Sequence, residues 1–215
     1  MSAAALLEAP PQDAAGFAVE TGATAAQVAD LARFQALLVD WNRRMNLVSD
    51  ASLAAFWPRH VFDSAQLLDL APGAQTWVDI GAGAGFPGVV LAILLKGAPG
   101  AAVHLVDSQA KRCRFLTAAV EALGLPAEVH NARGEDVALT ADVITARAVA
   151  PLAKLLGYAR PSLARGGVGL FLKGRSWETE LAEARTLWRF RCEALPSRSD
   201  PESRILKVEG LARAR

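Results

Sequence analysis

Apolar positions recur at helical spacing over residues 24–41. Val28, Leu31, Phe34, Leu38 and Trp41 fall on one face. Thr24 and Gln27 stand three apart at the start of this run, the pairing of a capping box, and fix where the helix begins. The polar stretch W-N-R-R-M-N-L-V-S-D then breaks the pattern. A second helical region runs from about Ser52 to Leu70 and is interrupted at Pro58. Residues 23–72 therefore read as a helical extension. Residues 1–22, rich in Ala and Pro with little to bury, read as a mobile tail.

From Thr76 the period changes. T-W-V-D-I is a strand, followed by a glycine-rich loop and the helix P-G-V-V-L-A-I-L-L. A-V-H-L-V-D (102–107) is a strand, and Ala110 to Leu123 a helix. A-E-V-H after Pro126 and D-V-I-T-A (142–146) are further strands, and a helix begins near Pro151. G-V-G-L-F-L-K-G (167–174) is a strand, W-E-T-E-L-A-E-A-R-T-L-W a helix, and two strands joined by a polar turn close the chain. Strands alternating with helices predict an α/β fold: a mostly parallel, Rossmann-like sheet over residues 73–215, with an antiparallel edge strand. The extension and the core together make one domain, 23–215, with no internal repeat.

Composition adds exclusions. The chain has 215 residues, 52% of them hydrophobic, and a formal net charge of +1. A nucleic-acid partner would have to be met by a local basic patch. Cys113 and Cys192 are far apart, with no C-x-x-C and no His cluster nearby in the sequence, which argues against a zinc site or a disulfide framework and fits a reducing cytoplasm. The apolar run Gly88 to Leu95 is far short of the ~20 residues of a membrane span. The start M-S-A-A-A-L-L-E lacks the basic region of a secretory signal.

The loop V-D-I-G-A-G-A-G-F-P-G (78–88) carries the chemistry. Its glycines, Gly81, Gly83 and Gly85, follow G-x-G-x-G. A dinucleotide fingerprint would need glycine at 86, where Phe86 stands. Asp79, two residues before the first glycine, suits a ligand with positive charge and would repel a pyrophosphate. S-adenosylmethionine (SAM) has such charge on its sulfonium and amino groups. Asp107 ends the next strand, where a carboxylate can accept both ribose hydroxyls of an adenosine, with Ser108 beside it.

The runs D-I-G-A-G-A-G-F-P-G-V-V-L-A-I and L-V-D-S-Q-A-K-R-C-R-F-L closely resemble the small-subunit ribosomal RNA guanine-N7 methyltransferases, the RsmG (GidB) family. W-N-R-R-M-N-L-V (41–48), R-H-V-F-D-S (59–64), A-R-G-E-D (132–136), I-T-A-R-A-V-A (144–150) and L-K-G (172–174) extend the resemblance in order. It implies SAM as methyl donor and methylation of guanine 527 of 16S rRNA at N7. It carries SAM contact onto Gly81, Phe86, Gly134, Glu135 and Arg147. Ala82 and Thr145 depart from the family's usual residues without changing a charge.

The residues suit that chemistry. Guanine N7 has a free lone pair and no proton, so its methylation needs alignment and no general base. Neither cysteine follows Pro, as a cytosine-C5 nucleophile commonly does, and T-A-R-A-V-A-P stands where an amine methyltransferase would carry [DN]-P-P-[YFW]. Arg reads the N7/O6 edge of guanine well, which suits Arg147 at the end of the fourth strand; a salt bridge to a carboxylate is the other reading of Arg147. Lys111 joins Arg147 as a candidate positioning group. Arg59, His60, Lys111, Arg112 and Lys173 are candidate RNA contacts, while His104 and His130 read as structural. The expected partner is 16S rRNA within the small subunit, bound by a cytoplasmic monomer. Two rivals are a SAM-dependent methyltransferase with a non-RNA substrate and a non-catalytic RNA-binding module on the same fold.

Overall fold

The helical face read at 24–41 folds as a long helix in a computed structural model of the chain that describes residues 9–214. That helix, α2 (Ala25–Met45), starts on the expected box: Thr24 Oγ1 accepts from Gln27 N–H, and the Gln27 side chain accepts from Thr24 N–H. Leu31, Phe34 and Leu38 are wholly buried. The helix outlasts the expected break and stops at Asn46. There the Asn42 amide ties both backbone groups of Val48.

The expected tail over 1–22 needs correction. Residues 1–8 lie outside the described residues, but a helix α1 (Ala14–Thr21) forms in the rest. Asp13 caps it by accepting from Gly16 N–H, and Phe17 is wholly buried, 5.7 Å ring to ring from Trp57. One aromatic anchor makes the helix part of the core, which average composition hid. The region around Pro58 is a short helix α3 (Asp50–Ala54), a π-helical turn over Phe56–Val61 and a helix α4 (Phe62–Leu70). Pro58 has no N–H to give the ladder, and the chain widens there.

Seven strands follow: β1 (Thr76–Ile80), β2 (Ala102–Asp107), β3 (Ala127–Asn131), β4 (Val143–Arg147), β5 (Val168–Lys173), β6 (Trp188–Pro196) and β7 (Arg204–Arg213). They form one sheet in the order β3-β2-β1-β4-β5-β7-β6. The first five run parallel, and β7 is antiparallel to both neighbours. The antiparallel strand therefore sits one place in from the edge, because the closing hairpin tucks β7 against β5 and leaves β6 outside. Helices α5 (Gly88–Leu94) and α6 (Ala110–Leu123) pack with α2 on one face. Helices α7 (Leu152–Leu163) and α8 (Trp177–Leu187) cover the other. Strand order reverses between β1 and β4, so the carboxyl ends of those strands flank a crevice, the usual ligand position in such sheets.

Candidate functional site

The glycine loop is held to the sheet by its own backbone. Gly81 and Ala82 N–H both donate to the Val106 carbonyl, at 2.7 and 2.9 Å. Gly81 has φ +72°, and a Cβ there would stand 2.4 Å from Val149. Gly83 N–H donates to Asp107 Oδ2 at 3.0 Å, so the loop and the end of β2 are joined. Gly85 backs onto Phe34 in the core and lines neither cavity described below.

Asp79 is corrected from ligand contact to internal brace. It is 1% exposed. Its Oδ2 accepts from Gly88 N–H at 2.9 Å and its Oδ1 from the Thr145 hydroxyl at 3.0 Å. Burial pushes its carboxyl up to about 7, against these two hydrogen bonds and the nearby Arg147 charge. The Phe86 ring is likewise withdrawn. It is packed among Phe34, Phe56 and His60, so only its backbone is left for a ligand.

Two cavities open at the carboxyl ends of the strands. The smaller, about 350 Å³, is lined by Gly81, Asp107, Ser108, Gly134 and Glu135, all expected as cofactor contacts, with Ile80, Val106 and Tyr158 as apolar wall. Asp107 Oδ1 also accepts from Gln109 N–H at 2.8 Å. Each carboxylate oxygen can accept more than one bond, so capacity remains for a diol. Arg112 lines this cavity, its Nη1 3.6 Å from Asp107 Oδ2, which moves it from the expected RNA set to the cofactor side. A Cβ on Gly134 would stand 2.9 Å from Tyr158, so only glycine fits there. Acidic acceptors, an apolar slot and a bare backbone fit an adenosine bearing a cationic group.

The larger cavity, about 870 Å³, holds Arg59, His60, Asp63, Arg147, Lys173 and Arg204. Both volumes are within the usual range for ligand sites. Residues Ala148–Ala150 line both cavities and form their common wall. Arg147 faces the larger one. Its Nη1 donates to the Arg59 carbonyl at 3.2 Å and lies 3.6 Å from Asp63 Oδ2, and its guanidinium sits 5.1 Å above Phe86. The salt-bridge reading of Arg147 thus holds, with Asp63 as partner, and the side chain stands directly before the wall that the two cavities share. Asp63 Oδ1 in turn accepts from Ser197, Ser199 and Gln66.

Two further expectations fail because both side chains are buried, one as a paired charge and the other as a neutral ring. Lys173 is 8% exposed, and its Nζ donates to Glu180 Oε2 at 2.7 Å and to the Ala150 carbonyl at 2.8 Å. It fixes the shared wall, and its burial and its pairing with Glu180 withdraw its charge from phosphate. His60 is buried too, stacked on Phe86 at 4.5 Å, with Nε2 2.7 Å from Ser52 Oγ and Nδ1 unpartnered. Burial, then the charges of Arg147 and Arg59, drop its pKa to about 3. A neutral ring carries its proton best on Nε2, donating to Ser52. Lys111 is exposed and lines neither cavity, so its positioning role is withdrawn. Arg59 is exposed at the rim with no carboxylate partner among the described residues, as expected of a phosphate contact.

Sequence reasoning missed Arg204, which lines the larger cavity beside Trp177, and the Asp63 and Glu180 partners. Separations such as Asp63 to Arg147 leave no local signal. Within F-D-S the acidic residue was visible, but its partner was not. His104 and His130 meet across β2 and β3, away from both cavities.

The family model described as "GidB: rRNA small subunit methyltransferase G" matches residues 27–200. A Caulobacter vibrioides protein named Ribosomal RNA small subunit methyltransferase G is 59% identical over 203 residues, 94% of each chain. One of the same name from Parvibaculum lavamentivorans is 45% identical over 93% of this chain and 90% of its own. Among solved structures, a SAM-dependent methyltransferase from Aquifex aeolicus aligns with TM-score 0.55 at 18% identity, covering 81% of this chain and 98% of its own. M. jannaschii TYW2 in complex with AdoMet aligns with TM-score 0.52 at 17% identity over 72% of this chain and 74% of its own. These two show likeness of fold.

Proposed function

The chain belongs to the rRNA small subunit methyltransferase G family, and from that premise we propose that it is a SAM-dependent methyltransferase of 16S rRNA acting on N7 of guanine 527. The observation that carries the reading is the pair of cavities divided by one short wall, Ala148–Ala150. The smaller suits the donor, held by Asp107, Ser108, Gly134 and Glu135. The larger suits a guanine swung out of the RNA, met by Arg147 and a rim of Arg59 and Arg204.

When bound, SAM supplies an electrophilic methyl group. This chain's residues do the rest by orientation. No base is available in the larger cavity. His60, its pKa dropped to about 3, is too weak a base, and Asp63 is committed to Arg147 and two serines. Asp200 is held below its ordinary value mainly by the Glu202 N–H. That arrangement suits a nitrogen without a proton to remove. Arg147, fixed from below by Asp63 and Phe86, offers its remaining N–H groups to the O6 side of the base.

The substrate form is the small ribosomal subunit, with the enzyme as a monomer. The test is transfer of labelled methyl from SAM to small subunits lacking the modification. Label in 16S rRNA, lost on Asp107→Asn, is expected. Transfer to protein or to a small molecule alone would overturn the reading.

A further inference from the structure

Outside both cavities, the edge of the sheet brings together three metal-ligating side chains. His104 on β2 pairs in register with Glu128 on β3, and His130 lies two residues further on, so all three project from one side of the sheet. That side is opposite the one where Leu105 packs against α6. His104 Nδ1 and His130 Nε2 are 3.0 Å apart, and Glu128 Oε2 lies 3.7 Å from the first and 3.9 Å from the second.

These three distances are close to those of a coordination shell. Ligands bound to a tetrahedral zinc ion at about 2.0–2.2 Å stand roughly 3.4 Å from each other. The observed triangle reaches that size if the two rings part slightly and the half-free carboxylate moves in. Glu128 is 68% exposed at its side chain, so its movement is cheap, and the rings, at 21% and 22%, are half-buried and well placed. Two imidazole nitrogens and one carboxylate oxygen are the donor set of zinc and its transition-metal neighbours, and a poor one for calcium or magnesium.

We infer that His104, Glu128 and His130 form a binding site for a divalent transition ion of the zinc class, with the fourth position open to water. Each neutral ring binds through its inner nitrogen and keeps its single proton on the outer one, His104 Nε2 and His130 Nδ1. The proton now shared between the rings moves to the outer nitrogen of its own ring, so none is lost. The ion ties the edge strand β3 to β2. Because β3 leads through Asn131 into the Ala132–Glu135 segment of the smaller cavity, the tie steadies one wall of that cavity.

The experiment is calorimetric titration of tag-free, chelator-stripped protein with Zn2+, repeated with Co2+ to read the visible spectrum of the bound ion. One Zn2+ per chain and a raised Tm are expected. His104→Asn and His130→Gln should each weaken binding at least about tenfold and abolish the rise in Tm. Two independent variants guard against a single one that fails to fold, checked by circular dichroism. Cys113→Ser should bind as the parent does. Absence of saturable binding overturns the site. So does binding by both His variants as tight as the parent's, or loss of binding on Cys113→Ser.

Discussion

Asp79 and His60 are two buried titratable groups whose linkages oppose each other. Asp79 has a folded-state value of about 7, above its unfolded value, so it contributes stability that is full at low pH and lost as pH rises toward 7. His60 has a folded value of about 3, below its unfolded value, so its contribution is full above about 6.5 and lost as pH falls. Between about pH 4 and 6.5 the two slopes, each ~1.4 kcal/mol per pH unit at most, largely cancel. His60→Asn should therefore make stability fall with rising pH across this window, relative to the parent. Asp79→Asn should make it fall with falling pH. Denaturant midpoints measured from pH 4 to 7 check this, and variants that both track the parent curve would contradict it. Asp107→Asn tests the cofactor contact. It should weaken S-adenosylhomocysteine binding by about 1.5–3 kcal/mol in calorimetry, with the fold kept. The place of Asp107 in the smaller cavity was readable because it ends a strand beside the glycine loop. The role of Asp79 was not, since β1 is buried on both faces and alternation says nothing about which side a carboxylate serves.

At the scale of elements, close approach decides what can change. The helix α5 begins at Gly88, where a Cβ would stand 2.3 Å from Leu105 and 2.7 Å from Asp79 Oδ2. Gly88→Ala should destabilise the protein by about 1–3 kcal/mol or more by overpacking, read as a lower Tm. The strand β5 and helix α8 are joined by Lys173–Glu180, a pair most of whose surface is buried. Lys173→Met alone should cost about 3–5 kcal/mol by orphaning Glu180, and Lys173→Met with Glu180→Leu should recover most of that in denaturant unfolding. Periodicity showed every strand and most helices, because apolar spacing fixes an element before any partner is known. It missed α1, where one buried Phe17 outweighs an Ala-rich stretch. It also placed the antiparallel strand on the edge, since nothing within a hairpin says which of its strands will pair with β5.

For the whole molecule, the net charge of +1 means that RNA affinity rests on a few unpaired cations. Arg59→Gln or Arg204→Gln should lower the salt dependence of subunit binding by about one unit each. Lys173 is excluded by its burial and internal pairing. The smaller cavity, proposed for the cofactor, was largely legible in the sequence because the glycine loop and the next strand end supply Gly81, Asp107 and Ser108 to it. The substrate half was legible only in part, because Asp63, Arg147, Glu180 and Arg204 come from four distant segments. The central claim is methyl transfer to one ring nitrogen. Its most direct test is to treat unmethylated small subunits with the purified protein and SAM, then map N7-methylguanine in 16S rRNA by cleavage at the modified base and mass spectrometry of the fragment. A single new N7-methyl mark at guanine 527 is predicted. A methyl group on another atom or another nucleotide, or no mark on 16S rRNA, would contradict the account.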